Sequence, residues 1–191
     1  MTRSMQGFTL IEIMIVALII GMTASLIAIS IGDNKADKAP KTEAEAFVHA
    51  VDFVSEYAAL NGEVIGMFAV PKNTEDSLGK KWCYDWKRNR ANEWVALPED
   101  SLVEHCMAES VQWEMVIEGH VYVYDPDLEI QPPTLVFSPS GETTAVEMSM
   151  FEEGTTNTET QHIQIDLMGG ICWPEGEKDQ DKDPKDICHV R

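Results

Sequence analysis

Positive charge is what this chain has least of. Its 191 residues carry 14 Lys and Arg against 33 Asp and Glu, for a formal net charge of −19. A phosphate backbone demands a cationic face, so the balance argues against a nucleic-acid partner. The deficit is uneven: residues 1–41 hold four bases and three acids, residues 42–191 ten bases and thirty acids. Lys87-Arg88-Asn89-Arg90 is the only basic run of that acidic body and reads as a solvated loop. Enzyme signatures are missing too: there is no G-x-S-x-G, no H-E-x-x-H and no phosphate loop. His49, His105, His120, His162 and His189 fall at no catalytic spacing. An enzyme is therefore not expected, and no cofactor is implied. No internal repeat is apparent. The remaining composition, 44% hydrophobic and 25% charged, is that of a globular chain and excludes collagen-like or wholly disordered readings. The length suits one domain with at most an appendage.

What the chain does have is one long apolar run. Phe8 to Ile31 contains a single charged residue, Glu12. As an α-helix it spans roughly 36 Å, enough for a hydrocarbon core of about 30 Å. The short leader Met1 to Gly7 carries Arg3, and no A-x-A cleavage pattern follows Ile31. The apolar helix is thus expected to be kept as a membrane span, not removed as a signal peptide. The positive-inside tendency puts Arg3 in the cytoplasm and the acidic body outside. Glu12 is the anomaly, because a carboxylate inside a membrane helix is costly and marks a functional position by default. The alternative is that it sits at headgroup depth and caps the helix.

Gly7-Phe8-Thr9-Leu10-Ile11-Glu12 followed by an unbroken apolar helix resembles the processing site of type IV pilins and type II secretion pseudopilins. The resemblance implies cleavage between Gly7 and Phe8 by a membrane prepilin peptidase, N-methylation of the new Phe8 amine, and pairing of Glu12 with the Phe8 amine of a neighbouring subunit. The chemistry suits that role. Cleavage creates a cation four residues from an anion in a low-dielectric setting, and each charge offsets part of the other's desolvation.

After the span, Pro40 disfavours helix at Ala39, which predicts a kink or break there. Thr42 with Glu45 then has the form of a capping box. Phe47, Ala50, Val51, Val54, Tyr57 and Ala58 line one helical face, and Asn61-Gly62 ends it. From there the period changes to two. Strands are expected at 64–70 (closed by Pro71), 111–118, 121–124, 134–137, 144–150, 161–167 and 171–173, with loops at 71–81, 125–133 and 152–160. The tail 174–186 reads as charged and solvated. The expected organisation is α+β: leader 1–7, transmembrane helix 8–31, amphipathic helix region 32–62, and a β-rich domain 63–191 built as an antiparallel β-sandwich; the pilin resemblance implies that the long N-terminal helix packs on it.

This order of elements, with the turn Phe137-Ser138-Pro139-Ser140-Gly141-Glu142 and the late glycine turn, looks like the H-type minor pseudopilins and the related minor pilins. Where that family often has Gly-Arg in its last hairpin, this chain has Gly169-Gly170. The resemblance implies a minor pseudopilin of the type II secretion system. It would be a single-pass inner-membrane protein with a cytoplasmic N-terminus and a periplasmic domain, working with major and minor pseudopilins and with the prepilin peptidase and methyltransferase. The alternatives are a minor pilin of a type IV pilus and, more remotely, a membrane-anchored periplasmic enzyme or binding domain.

Four cysteines, Cys83, Cys106, Cys172 and Cys188, allow three pairings in an oxidising periplasm. Cys83–Cys106 and Cys172–Cys188 are favoured because neighbours in sequence meet most easily. A zinc site on His105-Cys106 and Cys188-His189 is the alternative, although it lacks any C-x-x-C spacing. Asp179, Asp181 and Asp183 alternate near Glu177 but lack the Gly and Glu of a calcium loop, so no metal is expected. Trp82, Trp86, Trp94, Trp113 and Trp173 read mainly as core.

Overall fold

The structure is a computed structural model that describes residues 11–12, 14–16, 39–73, 80–98, 102–152, 154 and 160–176. The chain divides into two units, Met1–Asp37 and Lys38–Arg191. In the first, residues 11–12 and 14–16 are helical, and Ile11, Met14, Ile15 and Val16 are exposed. Among the described residues no helix is long and apolar enough to cross a membrane. Most of the expected span Phe8–Ile31 lies outside those residues.

The second unit opens with helix α1, Ala39–Asn61. Its buried residues Pro40, Ala44, Phe47, Val51, Val54 and Ala58 repeat every three or four positions, the stripe an amphipathic helix turns to a core. Thr42 is therefore inside the helix and is not its cap. Pro40 does not break the chain: its fixed φ is helical, and its ring fills the first place in the buried stripe. The far end is as expected. Gly62 takes φ of +65°, and the Glu63 N–H returns to the Ala58 carbonyl at 3.2 Å.

Among the described residues ten strands follow: β1 Ile65–Asn73, β2 Lys80–Arg90, β3 Glu93–Ala96, β4 His105–Cys106, β5 Val111–Ile117, β6 His120–Val121, β7 Leu135–Phe137, β8 Val146–Glu152, β9 Gln161–Ile165 and β10 Ile171–Cys172. All pairings are antiparallel. One sheet runs β3-β2-β1-β7, with β4 also on β2, and the other runs β10-β9-β8-β5-β6. Both sheets and α1 share one core. Phe47 of α1 meets Tyr84 of the first sheet at 5.7 Å and Trp113 of the second at 6.4 Å, both edge-on. Trp82 and Trp113 bridge the sheets at 5.6 Å.

Two expected loop segments are strand. β1 passes through Pro71, which pairs with Trp82. Met67 accepts from the Thr134 N–H, and Ala69 donates to the Thr134 hydroxyl, so odd-numbered residues of β1 point their backbone away from β2. The donor that Pro71 lacks would face the side where β7 has already ended, and its loss removes no ladder bond. Lys87-Arg88-Asn89-Arg90 is likewise no loop. It ends β2 and enters β3 through Ala91 and Asn92, at φ of 52° and 66°. Two successive positive φ values define the type I′ hairpin turn, here without the usual glycine.

Candidate functional site

Three arrangements around the core bear on function. The first is an anchor for β4. Cys83 and Cys106 face each other across β2 and β4 and are joined by a disulfide. Beside it, Glu43 of α1 bonds His105 Nε2 at 2.7 Å and accepts the Ala108 N–H at 3.0 Å. Tyr84 packs on His105, with ring centroids 5.2 Å apart. Burial, and secondarily the Glu43 charge, pushes the Tyr84 phenol far up, so it stays neutral. Cys106 is bonded to sulfur and His105 to a carboxylate, so neither is free for the zinc alternative. Among the described residues no group of His, Cys, Asp and Glu could hold a metal. Cys172 is also disulfide-bonded. Cys188, His189 and the acidic run 177–183 lie outside the described residues.

The second arrangement joins the two turns that carried the family resemblance. Gly141, at φ of 90°, lets the Ser138 N–H reach the Glu142 carbonyl at 2.8 Å. The Asp166–Gly170 turn is held by Asp166 Oδ1, which accepts the N–H groups of Met168 and Gly170, both at 2.8 Å. The Thr143 N–H then bonds the Leu167 carbonyl at 3.1 Å, which places the two turns side by side. The second turn presents Leu167 and Met168 to solvent.

The third is an ion pair closing the start of β1. Glu63 receives Arg90 Nε at 2.9 Å and lies 3.4 Å from Arg88 Nη1. The Arg90 hydrogen bond, opposed by partial burial and aided by both guanidinium charges, holds the Glu63 carboxyl below its ordinary range. Sequence reading missed Glu43 and Glu63 because their partners lie 62 and 27 residues away.

Of the expected assembly residues, Glu12 is helical and exposed. Gly7 and Phe8 lie outside the described residues. No catalytic constellation forms in the described part of the domain. The buried polar residues there are Thr134, Thr143 and Gln161, which answer backbone or indole groups.

Residues 2–31 match the prokaryotic N-terminal methylation motif, which spans Gly7, Phe8 and Glu12. Over 186 residues, 92% of this chain and 97% of the relative, the sequence is 20% identical to type II secretion system protein H of Aeromonas hydrophila. It is 25% identical to the protein of the same name from Escherichia coli K12, over 78% of this chain and 83% of that one. The fold matches the crystal structure of the minor pseudopilin EpsH from the type II secretion system of Vibrio cholerae, with a TM-score of 0.56 and 20% identity over 72% of this chain and 96% of that one. With this N-terminal motif, an alignment to secretion protein H along most of its length and the fold of EpsH, the chain is similar to the H-type minor pseudopilins of type II secretion systems.

Proposed function

We propose that the chain works as an assembly subunit, not a catalyst. A prepilin peptidase cuts it between Gly7 and Phe8, and the new Phe8 amine is methylated. The helix Phe8–Ile31 rests in the inner membrane as a single span with the acidic domain in the periplasm. It then packs with the helices of major and minor pseudopilins into the short filament that drives folded proteins across the outer membrane. The observation that carries this reading is the N-terminal methylation motif over residues 2–31. Glu12 supplies the physical reason for ordered assembly. Its carboxylate is destabilised in hydrocarbon until the Phe8 amine of a neighbour approaches, so the pair rewards one axial register over others. DNA capture, as by a type IV pilus, fits poorly with thirty acids and ten bases in residues 42–191.

The test is mass spectrometry of the protein purified from membranes of cells that carry the prepilin peptidase. The expected first residue is methylated Phe8. A mature chain that still begins at Met1 overturns the reading.

A further inference from the structure

β6 is the terminal strand of the second sheet, and among the described residues nothing pairs with its outer side. The Tyr122 N–H donates to the Met115 carbonyl at 2.8 Å, on the β5 side. Backbone direction alternates along a strand, so the N–H and C=O of Val121 face the open edge. The side chains of Val121 and Val123 are 72% and 77% exposed. Beside this edge lies a cleft of about 360 Å³ lined by Ile117, Tyr122, Val123, Leu128, Pro132 and Pro133. Its outer wall is built. Gln131 Nε2 bonds the Asp125 carbonyl at 2.6 Å, the Asp127 N–H bonds Asp125 Oδ1 at 2.9 Å, and the Thr134 N–H ties the wall to Met67 at 2.7 Å.

An open edge invites pairing with another chain, and folded proteins usually guard it with lysine, proline or a bulge. Here β6 holds neither lysine nor proline, and only its two-residue length limits the edge. No Lys or Arg occurs anywhere in residues 91–177, a stretch that holds 18 acids. Asp125 lines the cleft, and Glu118, Asp127 and Glu129, each next in sequence to the lining residue Ile117 or Leu128, are exposed. Apolar lining, unpaired backbone and a rim of one sign together specify an occupant.

We propose that the β6 edge binds an extended segment of another protein chain that alternates apolar with Lys or Arg residues. The segment adds as a further strand along Val121. Its apolar side chains enter the cleft, and its cations meet Glu118, Asp125, Asp127 and Glu129. If the pseudopilin reading holds, the donor is a neighbouring subunit of the filament; the recognition chemistry stands without it.

The test uses the full chain in nanodiscs of zwitterionic lipid, with two fluorescein-labelled heptapeptides. One alternates Lys with Val and the other alternates Glu with Val. Fluorescence anisotropy is expected to show micromolar binding of the Lys peptide, weakened several-fold when salt rises from about 50 mM to about 500 mM. Val121→Pro removes only the outward N–H, and Val123→Lys adds a guard at an exposed position. Each is expected to weaken binding by roughly tenfold or more. An unchanged near-UV circular dichroism spectrum certifies the fold, and Val123→Lys decides the question if Val121→Pro fails to fold. Equal binding of the Glu peptide, undiminished binding by the folded variants, or no binding of the Lys peptide at about 1 mM overturns the proposal. Failed binding by a chain that begins at methylated Phe8 sinks this inference alone. Retained binding by a chain that keeps its leader sinks only the filament reading.

Discussion

Glu43 and His105 meet at 2.7 Å across 62 residues of sequence, and this contact ties the two-residue strand β4 to helix α1. The second Glu43 oxygen holds the Ala108 N–H, and the next residue after His105 is already covalently bound to Cys83. β4 has only two residues, so these side-chain ties add to its short ladder with β2 and to the Met107 N–H bond to the Trp82 carbonyl at 2.9 Å.

The disulfide and the carboxylate therefore act on the same element by different means. The Cys83–Cys106 bond closes a sequence separation of 23 residues. In the chain-entropy picture a loop of that size contributes roughly 3 kcal/mol, mainly by restricting the unfolded chain. Cys83→Ser with Cys106→Ser is expected to lower the urea midpoint accordingly. Glu43→Ala leaves the His105 ring and the Ala108 N–H without this acceptor, and is expected to cost about 1 kcal/mol. Because the two ties share β4, the triple variant is expected to lose an amount different from the sum. Strict additivity in denaturation would show that β4 is held independently of α1.

Gly66 faces away from the core, beneath Trp94. A Cβ at this position would stand 2.9 Å from the Trp94 ring and 3.0 Å from Pro133. Trp94 also packs edge-on to Phe68 at 5.4 Å, and Lys87 Nζ lies 4.5 Å over the Phe68 ring. Only glycine lets an indole from β3 reach across β2 to cover β1. Gly66→Val is expected to destabilise by about 1–3 kcal/mol through overpacking, and to displace Trp94. A thermal midpoint equal to that of the native chain would refute this role.

Glu63 gives a pH prediction. Its carboxyl titrates below the ordinary value of 4.5 because Arg90 and Arg88 hold the charged form. A depressed carboxyl contributes stability above its unfolded pKa and loses it as pH falls through the folded one. Native stability is thus expected to decline from about pH 4.5 downward, with Glu63 responsible for part of the slope. Glu63→Gln is expected to be less stable at neutral pH and to show a shallower acid decline. Parallel stability curves for the two proteins would remove the ion pair from the account.

Legibility in the sequence followed how local each signal is. The α1 stripe, its Asn61-Gly62 end and the alternation of β5, β8 and β9 are periodic patterns, and the structure has them where expected. The β2–β3 hairpin was hidden because its turn is Ala91-Asn92 where Asn-Gly would signal it. Lys80, Lys81, Lys87, Arg88 and Arg90 gave β2 the look of a solvated loop, although Trp82, Tyr84 and Trp86 carry its buried face. Pro71 suggested a strand end, since nothing local reveals which way its missing donor faces. The N-terminal methylation motif that spans Gly7, Phe8 and Glu12 is legible because a motif is a local object. The cleft beside β6 is not, because Ile117, Leu128 and Pro133 are brought together only by the fold.

The last prediction concerns Glu12, where the proposed function has its physical core. On the proposed reading the carboxylate lies in hydrocarbon without a partner before assembly and faces the Phe8 amine of a neighbour after it. In the proposed membrane helix Glu12→Ala removes a charge from hydrocarbon, so membrane insertion is expected to be no worse than native and somewhat easier. Folding of the domain is expected to be unchanged, because Glu12 belongs to the unit Met1–Asp37 and the shared core to Lys38–Arg191. What is lost is the selective gain from pairing. Crosslinking to other pseudopilins in membranes, and export of a folded substrate, are expected to fall by roughly tenfold or more, as when one partner of a desolvated ion pair is left alone. Glu12→Asp keeps the charge but shortens the reach, and is expected to retain an intermediate level. A Glu12→Ala chain that inserts, crosslinks and supports export at the native level would mean that register is set elsewhere along the helix, and the charge-pair account of assembly would fail.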